Sequence, residues 1–436
     1  MIAHSLAVDH DISLLENYQN KDQWVFYKGP LPKRTRSSAD RTRELPTFSL
    51  GLPLFLTPFY AMAVHWFPQY LVMFLRLVLC AVTAIALYYL MELGQFLSGS
   101  SRFAHWVAAG AAFSIPIIMY SNLMYPEILA FLLLIVALRQ LTQPESLKWT
   151  SLIPLSLIPG LLVWLHPKYM ILSLAICLLT SFRLIRERRA KGHFRLVVTT
   201  YAVLAAAGIA SLLYYLHWAY GTWSPSRLTG GFDEEREIVD FLRNRTQIVL
   251  QMFVGSWLDQ RFGILPHSPS YVAFFPALLW CLRERWLKVY PVVLLFVAHM
   301  MLICFGAPLG GFAPPARHFL VLTPFLLVPV MLISSYWNLL QKGLFVFLQF
   351  LGCGISAVML YYYPLAFTKT SWRYPDVASR FWEAFHLEEW IPNTIATAPR
   401  LGLILAWLGL VAVFSVLLYP KKREVQSQGM STNEHP

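Results

Sequence analysis

Three short stretches gather the residue types that handle phosphate groups. GSWLDQRFGILPHSPSY (255–271) places Asp259, Arg261 and His267 close together, with Gly263 permitting a tight turn and Pro266 and Pro269 fixing the backbone. WLHPKYM (164–170) sets His166 beside Lys168, and GGFAPPARHFLVLTPF (310–325) delivers Arg317 and His318 directly after a Pro-Pro stop. Guanidinium and ammonium groups hold phosphate oxygens, Arg in a bidentate fork. A carboxylate, Asp259 here or Glu127 in SNLMYPEILAF, can take a proton from an attacking hydroxyl or amine. The set therefore reads as a phosphate-binding group (His166, Lys168, Arg261, His267, Arg317, His318) served by two catalytic carboxylates, Glu127 and Asp259. Plainer accounts exist for individual members. A lysine at headgroup level snorkels, and an acid in the first turn of a helix is favoured by the helix dipole. There is no P-loop, GxGxxG, HExxH or CxxC, so neither a soluble-nucleotide nor a zinc mechanism has support. No metal ligand set is assigned, and the only cofactor left open is a divalent cation.

The elements that must position these residues are membrane helices. The chain has 436 residues, 57% hydrophobic and only 13% charged, well below the roughly 25% charged of soluble domains. Apolar runs of about 17–25 residues recur, each able to cross a ~30 Å hydrocarbon core. The expected fold is an all-α polytopic bundle of about eleven spans. They fall near 70–93, 103–122, 126–142, 151–166, 169–185, 196–219, 266–282, 289–306, 318–335, 343–364 and 401–419. The run 50–66, interrupted by two prolines and Gly51, reads as interfacial or re-entrant, with a twelfth span as the alternative. The amphipathic stretch 231–253 reads as an interfacial helix. A net charge of +12 reflects basic flanks of spans rather than nucleic-acid binding. The five cysteines (Cys80, Cys177, Cys281, Cys304 and Cys353) all lie in apolar runs and read as small buried hydrophobes.

Short basic loops stay cytoplasmic. RLIRERRAKGHFR (183–195), RERWLK (283–288) and the tail KKRE (421–424) all fall on one face when eleven spans are counted. The expected organisation is an extracytoplasmic segment 1–48, a membrane bundle 49–419 that includes outer loops 220–265 and 366–400, and a cytoplasmic tail 420–436. Most of the 23 acidic residues then lie outside. The opening MIAHSLAVDHDISLLENYQNKDQW is polar and acidic, unlike a signal peptide. An odd number of spans ending inside requires an outer start, so one further span is expected upstream.

Several stretches carry a resemblance to a known group. FSLGLPLFLTPFYAMAVHWFPQYLVMFLRLVLCAV looks like an outer interfacial segment leading into a second span. AFSIPIIMYSNLMYPEILAFLLLIVALRQL looks like a third and fourth span joined by an acidic loop. LVWLHPKYMILSL, DQRFGILPHSPSY and PPARHFLVLTPFLL look like later outer turns. Together they resemble the GT-C superfamily of membrane glycosyltransferases, of the protein O-mannosyltransferase and aminoarabinose transferase type. The resemblance implies sugar transfer on the outer face from a polyprenyl-phosphate donor to a lipid, glycan or protein acceptor. The partners would be that donor and membrane lipids, and the location a bacterial plasma (inner) membrane. Where the family often has a His-Pro-Pro-Leu-like run, only GLPL remains. IAHSLAVDHDISLLENY resembles the first outer loop just past the family's acidic pair, with Asp9, Asp11 and Glu16 as its remaining acids. Lys168, Arg261 and Arg317 are expected to border one cavity with Glu127 or Asp259. The competing readings are a transporter or flippase for a lipid-linked sugar, which needs midplane polar groups, and an inactive truncated membrane protein.

Overall fold

The structure, a computed structural model, describes residues 1–25, 35–40, 42–99, 101–142, 149–187, 194–223, 245–284, 286–306, 315–362, 377–394 and 400–420. Its helices follow the apolar runs: α1 Gly51–Trp66, α2 Leu71–Ser98, α3 Ser101–Ala112, α4 Glu127–Thr142, α5 Trp149–Leu165, α6 Met170–Glu187 and α7 Phe194–Tyr220. The chain continues with α8 Arg245–Leu258, α9 Phe274–Glu284, α10 Trp286–Gly306, α11 Arg317–Ser334, α12 Leu339–Tyr362, α13 Val377–Ala384 and α14 Leu401–Leu418. The chain is an integral membrane protein of helical type. A single two-stranded hairpin, β1 Thr35–Ser37 with β2 Glu44–Pro46, is the sheet among the described residues.

Among the described residues six helices, against the eleven spans expected, are long and apolar enough to cross a bilayer: Pro68–Ser98, Pro167–Arg186, Val198–Tyr220, Arg317–Ser334, Leu339–Tyr361 and Leu401–Leu418. Shorter apolar helices cover Ser151–Leu165, Val249–Leu258 and Val289–Cys304. The expected count fails because several apolar runs do not stay helical. The run 103–122 breaks after Ala112, where Ser114 donates its hydroxyl to Ala111 and Pro116 has no N–H to offer. The run 266–282 is non-helical as far as Ser268 and becomes a 3₁₀ turn, Pro269–Ala273, before α9 begins. At 16 residues, α4 rises ~24 Å, short of the hydrocarbon thickness. The run 50–66 departs in the other direction. It is one unbroken helix, with Pro53 in its first turn and Pro58 accommodated inside.

Burial separates a central helix from peripheral ones. In α11, 89% of the apolar window is buried, against 6% in α14, whose leucines and valines point outward. With water absent from a bilayer interior, such an outward apolar face is a lipid face. Around α11 pack α2, α3, α4, α9 and α10, which places its first residues at the meeting point of several helix ends. On one flank α5 and α7 approach closely because glycines face each other. A Cβ added to Gly160 would sit 2.7 Å from the Gly208 Cα, and the reverse holds as well, the small-residue contact typical of membrane helices.

The described parts of the front segment fold onto this scaffold. Leu14 N–H donates to Glu44 O at 2.8 Å, Ala39 N–H to Ala219 O at 2.9 Å, and Tyr220 hydroxyl to Pro46 O at 2.5 Å. The hairpin turn is held by Asp40, which accepts from Ser38 hydroxyl and Thr42 N–H; these bonds bring its carboxyl down to about 2. The basic core 188–193, the stretch 224–244 and the tail 421–436, on which the expected orientation leans, lie outside the described residues.

Candidate functional site

Three of the sequence candidates meet. Glu127 opens α4, Lys168 sits in the 3₁₀ turn Pro167–Tyr169 that joins α5 to α6, and Arg317 opens α11. Glu127 Oε1 accepts from Lys168 Nζ at 2.6 Å and from Arg317 Nε at 2.8 Å. Each helix start exists for a local reason. Pro126 ends the preceding loop, His166 caps the 3₁₀ turn by accepting Lys168 N–H on Nδ1 at 3.2 Å, and Ala316 takes a left-handed conformation (φ 55°) after the prolines.

The charges do not cancel. Two cations share one carboxylate oxygen, leaving the trio with a surplus positive charge. The Glu127 side chain is 1% exposed, Lys168 15% and Arg317 30%, so the group is reached from the Arg317 side. The other carboxylate oxygen, Glu127 Oε2, is buried with no hydrogen-bond partner among the described residues, as is the Tyr169 hydroxyl. Tyr169 stacks on His299 (centroids 6.2 Å, 19°), Lys168 lies 5.1 Å from the Tyr169 ring, and Arg317 lies 4.3 Å from the Tyr125 ring. His166 and His318 are within electrostatic reach of Lys168, Glu127 and Arg317. The result is a polar seam at the helix ends, with buried groups short of partners and a net positive charge. Most buried polar groups in proteins are satisfied, so two unsatisfied ones together mark a place built for something else.

Arg261, Asp259 and His267 belong to a different unit. Asp259 is fully buried, and all its acceptor capacity is committed. Oδ1 takes the N–H groups of Arg261 (2.8 Å) and Phe262 (3.2 Å), and Oδ2 takes Thr394 N–H (2.8 Å) and Thr394 hydroxyl (2.9 Å). Gln260 N–H donates to Pro392 O, and Trp382 Nε1 donates to Gln260 O, so the segment 377–394 is clamped over the loop. His267 donates from Nδ1 to Gly263 O at 2.7 Å, and its Nε2 is buried without a partner; burial pushes this histidine down to about 4. Arg261 is not among the charge partners of Glu127. The loop meets the start of α11 through Ala316 N–H, which donates to Phe262 O at 3.2 Å, and through the Trp257 ring, 4.9 Å from that of Phe319. The loop thus props the start of α11 rather than adding a cation beside Lys168.

Sequence reasoning missed His299, Tyr169 and Tyr125. A histidine inside the apolar run VVLLFVAHMMLICF was the one available signal, since an ionisable residue within a membrane segment is a functional candidate by default. The cleft between Phe96, Gly99, Trp280 and Tyr336 is lined by apolar and small polar residues only. It lies at the far end of α11, ~27 Å from Arg317 by helix rise, and takes no part in the site.

Among the described residues six long apolar helices and a buried ionic seam mark a polytopic α-helical membrane protein. No family model matches the chain, and neither a curated protein nor a solved structure does.

Proposed function

We propose that this chain is a membrane glycosyltransferase of GT-C type, taking a sugar from a polyprenyl-phosphate donor on the outer face of a bacterial plasma membrane. The observation that carries the reading is the surplus cation: Lys168 and Arg317 share a single oxygen of Glu127, with Arg317 the most exposed of the three. In such a transfer an acceptor oxygen or nitrogen bonds to the anomeric carbon as the bond from that carbon to the phosphate oxygen breaks. The electron pair stays on the phosphate, and the acceptor loses a proton. Lys168 and Arg317 would hold the growing phosphate charge, the largest service a site of this kind can offer. Glu127 keeps the two cations in place; buried and paired with both, it is too weak a base to take the acceptor's proton, which passes to an oxygen of the departing phosphate. Asp259, with both oxygens taken, accepts no proton in this proposal either. The polyprenyl tail would lie along the outward apolar faces of the bundle.

The flippase reading has less to stand on. A further ion pair among the described residues, Arg139 to Glu92 at 2.6 Å, joins the last turn of α4 to the later part of α2, toward the helix ends rather than their middles.

The test is donor binding followed by turnover. Detergent-purified protein should retain polyprenyl phosphate in native mass spectrometry, and membranes carrying it should release labelled sugar to an acceptor. Lys168→Ala should weaken both. Wild-type protein that binds no polyprenyl phosphate would end the proposal.

A further inference from the structure

We infer that residues 385–390, which follow α13, are set into the bilayer beside α14 and rest against lipid rather than water. The depth comes from one hydrogen bond: Trp407 Nε1 donates to Trp390 O at 2.8 Å. Trp407 is the seventh residue of α14, and the helix is bracketed by Arg400 and Lys421. Its 18 residues rise ~27 Å, against a hydrocarbon core of ~30 Å. Leu401 therefore starts at the hydrocarbon edge, and the Cα of Trp407 lies ~9 Å further in. Helical side chains lean toward the N-terminus, so the indole reaches part of the way back and meets the Trp390 carbonyl inside that edge.

The side chains around this carbonyl suit such a place. Trp390 is 70% exposed, Phe385 45% and Leu387 40%. Trp390 adjoins a helix of which only 6% of the apolar window is buried, so with Phe385 and Leu387 close by in the chain it extends the lipid face of α14. Tryptophan, with an apolar ring and a polar N–H, is enriched at such a boundary. The backbone meets the demand that lipid makes, that its polar groups be engaged within the protein. Phe385 and Leu387 N–H donate to Trp382 O at 3.2 and 2.9 Å, His386 N–H to Glu383 O at 3.0 Å and Trp390 N–H to Leu387 O at 3.0 Å. The charged neighbours set a limit on depth. Glu383, His386 and Glu389 are exposed and Glu388 is half-buried, and ionised groups are costly in hydrocarbon. The segment is thus shallow, with its apolar side chains in the acyl layer and its acids among headgroups.

The protrusion is built rather than slack. Phe381 and Trp382 on one side of it, and Ile391 and Pro392 on the other, are buried. Trp382 Nε1 donates to Gln260 O at 2.9 Å, and Gln260 N–H donates to Pro392 O at 2.8 Å. Both ends are thereby pinned to one residue of the Asp259 loop. The chain between them is pushed outward and turns at His386, whose φ is 55°. The partner of this surface is the acyl layer itself, because the surface continues the face that α14 already presents to lipid. The inference does not depend on the sugar-transfer reading. Its consequence is that the loop propping the start of α11 meets lipid on this flank.

The experiment uses the full chain in phosphatidylcholine vesicles whose acyl chains carry bromine, a quencher of indole fluorescence, either near the headgroup or near the methyl end. Iodide on both sides of the vesicle quenches indoles that face water. The chain has 15 tryptophans, so the signal of Trp390 is taken as wild type minus Trp390→Phe, a change that keeps an aromatic ring. That share should lose intensity to bromine near the headgroup, less to bromine near the methyl end, and none to iodide. Leu387→Trp, which adds a reporter on the same stretch, should give the same order. Leu405→Trp, at a position 58% exposed on the lipid face of α14, calibrates full contact with lipid. The inference is overturned if iodide quenches the Trp390 share while brominated chains leave it unchanged. It is equally overturned if the reporter in Leu387→Trp answers to iodide alone.

Discussion

The Glu127 seam and the Asp259 loop begin from the same materials, an aspartate or glutamate near arginine and histidine at the edge of an apolar run, and end as opposites. In the loop every oxygen of Asp259 is used by N–H or hydroxyl groups of its own scaffold. In the seam Glu127 receives two cations on one oxygen and leaves the other without a partner among the described residues, and the Tyr169 hydroxyl nearby is left likewise. A saturated carboxylate organises a fold. An undersaturated cluster with surplus charge costs stability and is explained by something that binds there. Residue type alone does not separate the two; the count of unfilled hydrogen-bonding positions does.

The largest expected effect tests whether the seam is a buried ionic unit. Glu127→Ala leaves Lys168 and Arg317 without their shared counter-charge, and removing one partner of a buried pair costs about 3–5 kcal/mol. The partial exposure of Arg317 favours the lower end. Thermal unfolding in detergent reads the loss, and a variant as stable as wild type would erase the contrast with the loop.

Next comes turnover. Lys168→Ala and Arg317→Ala are each expected to slow sugar transfer by roughly 10²–10³-fold if they hold the departing phosphate. Arg261→Ala should slow it by less than about tenfold, under ~1.4 kcal/mol of barrier. Initial rates with labelled donor separate the cases. Equal losses at Arg261 and Lys168 would merge the two regions into one site.

How far this division was legible beforehand depends on the distance between partners. The helical membrane character followed from the apolar runs, and Glu127, Lys168 and Arg317 stood out as charges at their ends. Their pairing did not, because Lys168 is 41 and Arg317 190 residues from Glu127. Asp259 looked catalytic for the same reason, since the threonine that occupies it is 135 residues away. Among the described residues, part of the difference in span count has a backbone reason. Hydropathy registers side chains, whereas Pro116, Pro266 and Pro269 stop helices by withholding N–H donors in runs that remain apolar.

A smaller effect tests the saturation of the loop. Asp259→Asn replaces an acceptor oxygen with an amide nitrogen facing Thr394 or the N–H groups of Arg261 and Phe262. Leaving such buried donors unpaired costs about 1–3 kcal/mol. The thermal midpoint should fall, while the affinity of the folded protein for polyprenyl phosphate stays at the wild-type value. Loss of binding without loss of stability would move Asp259 back into the site.

The smallest effect concerns His267, which shares the loop and is buried with Nδ1 donating to Gly263 O and Nε2 unpartnered. Burial holds its folded pKa at about 4, below the ordinary 6.5. Between those values the unfolded chain binds the proton and the folded chain does not, so stability falls as the pH falls. The contribution is complete above pH 6.5 and is lost progressively toward pH 4, amounting to about 1 kcal/mol by pH 5.5. His267→Asn can keep the hydrogen bond to Gly263 O through its amide nitrogen but cannot titrate. Comparing thermal midpoints at pH 7.5 and 5.5, the wild type should lose more than the variant by that amount. Parallel losses in both proteins would show that His267 is not held neutral by its surroundings, and that this corner of the loop is less completely closed than Asp259 makes it.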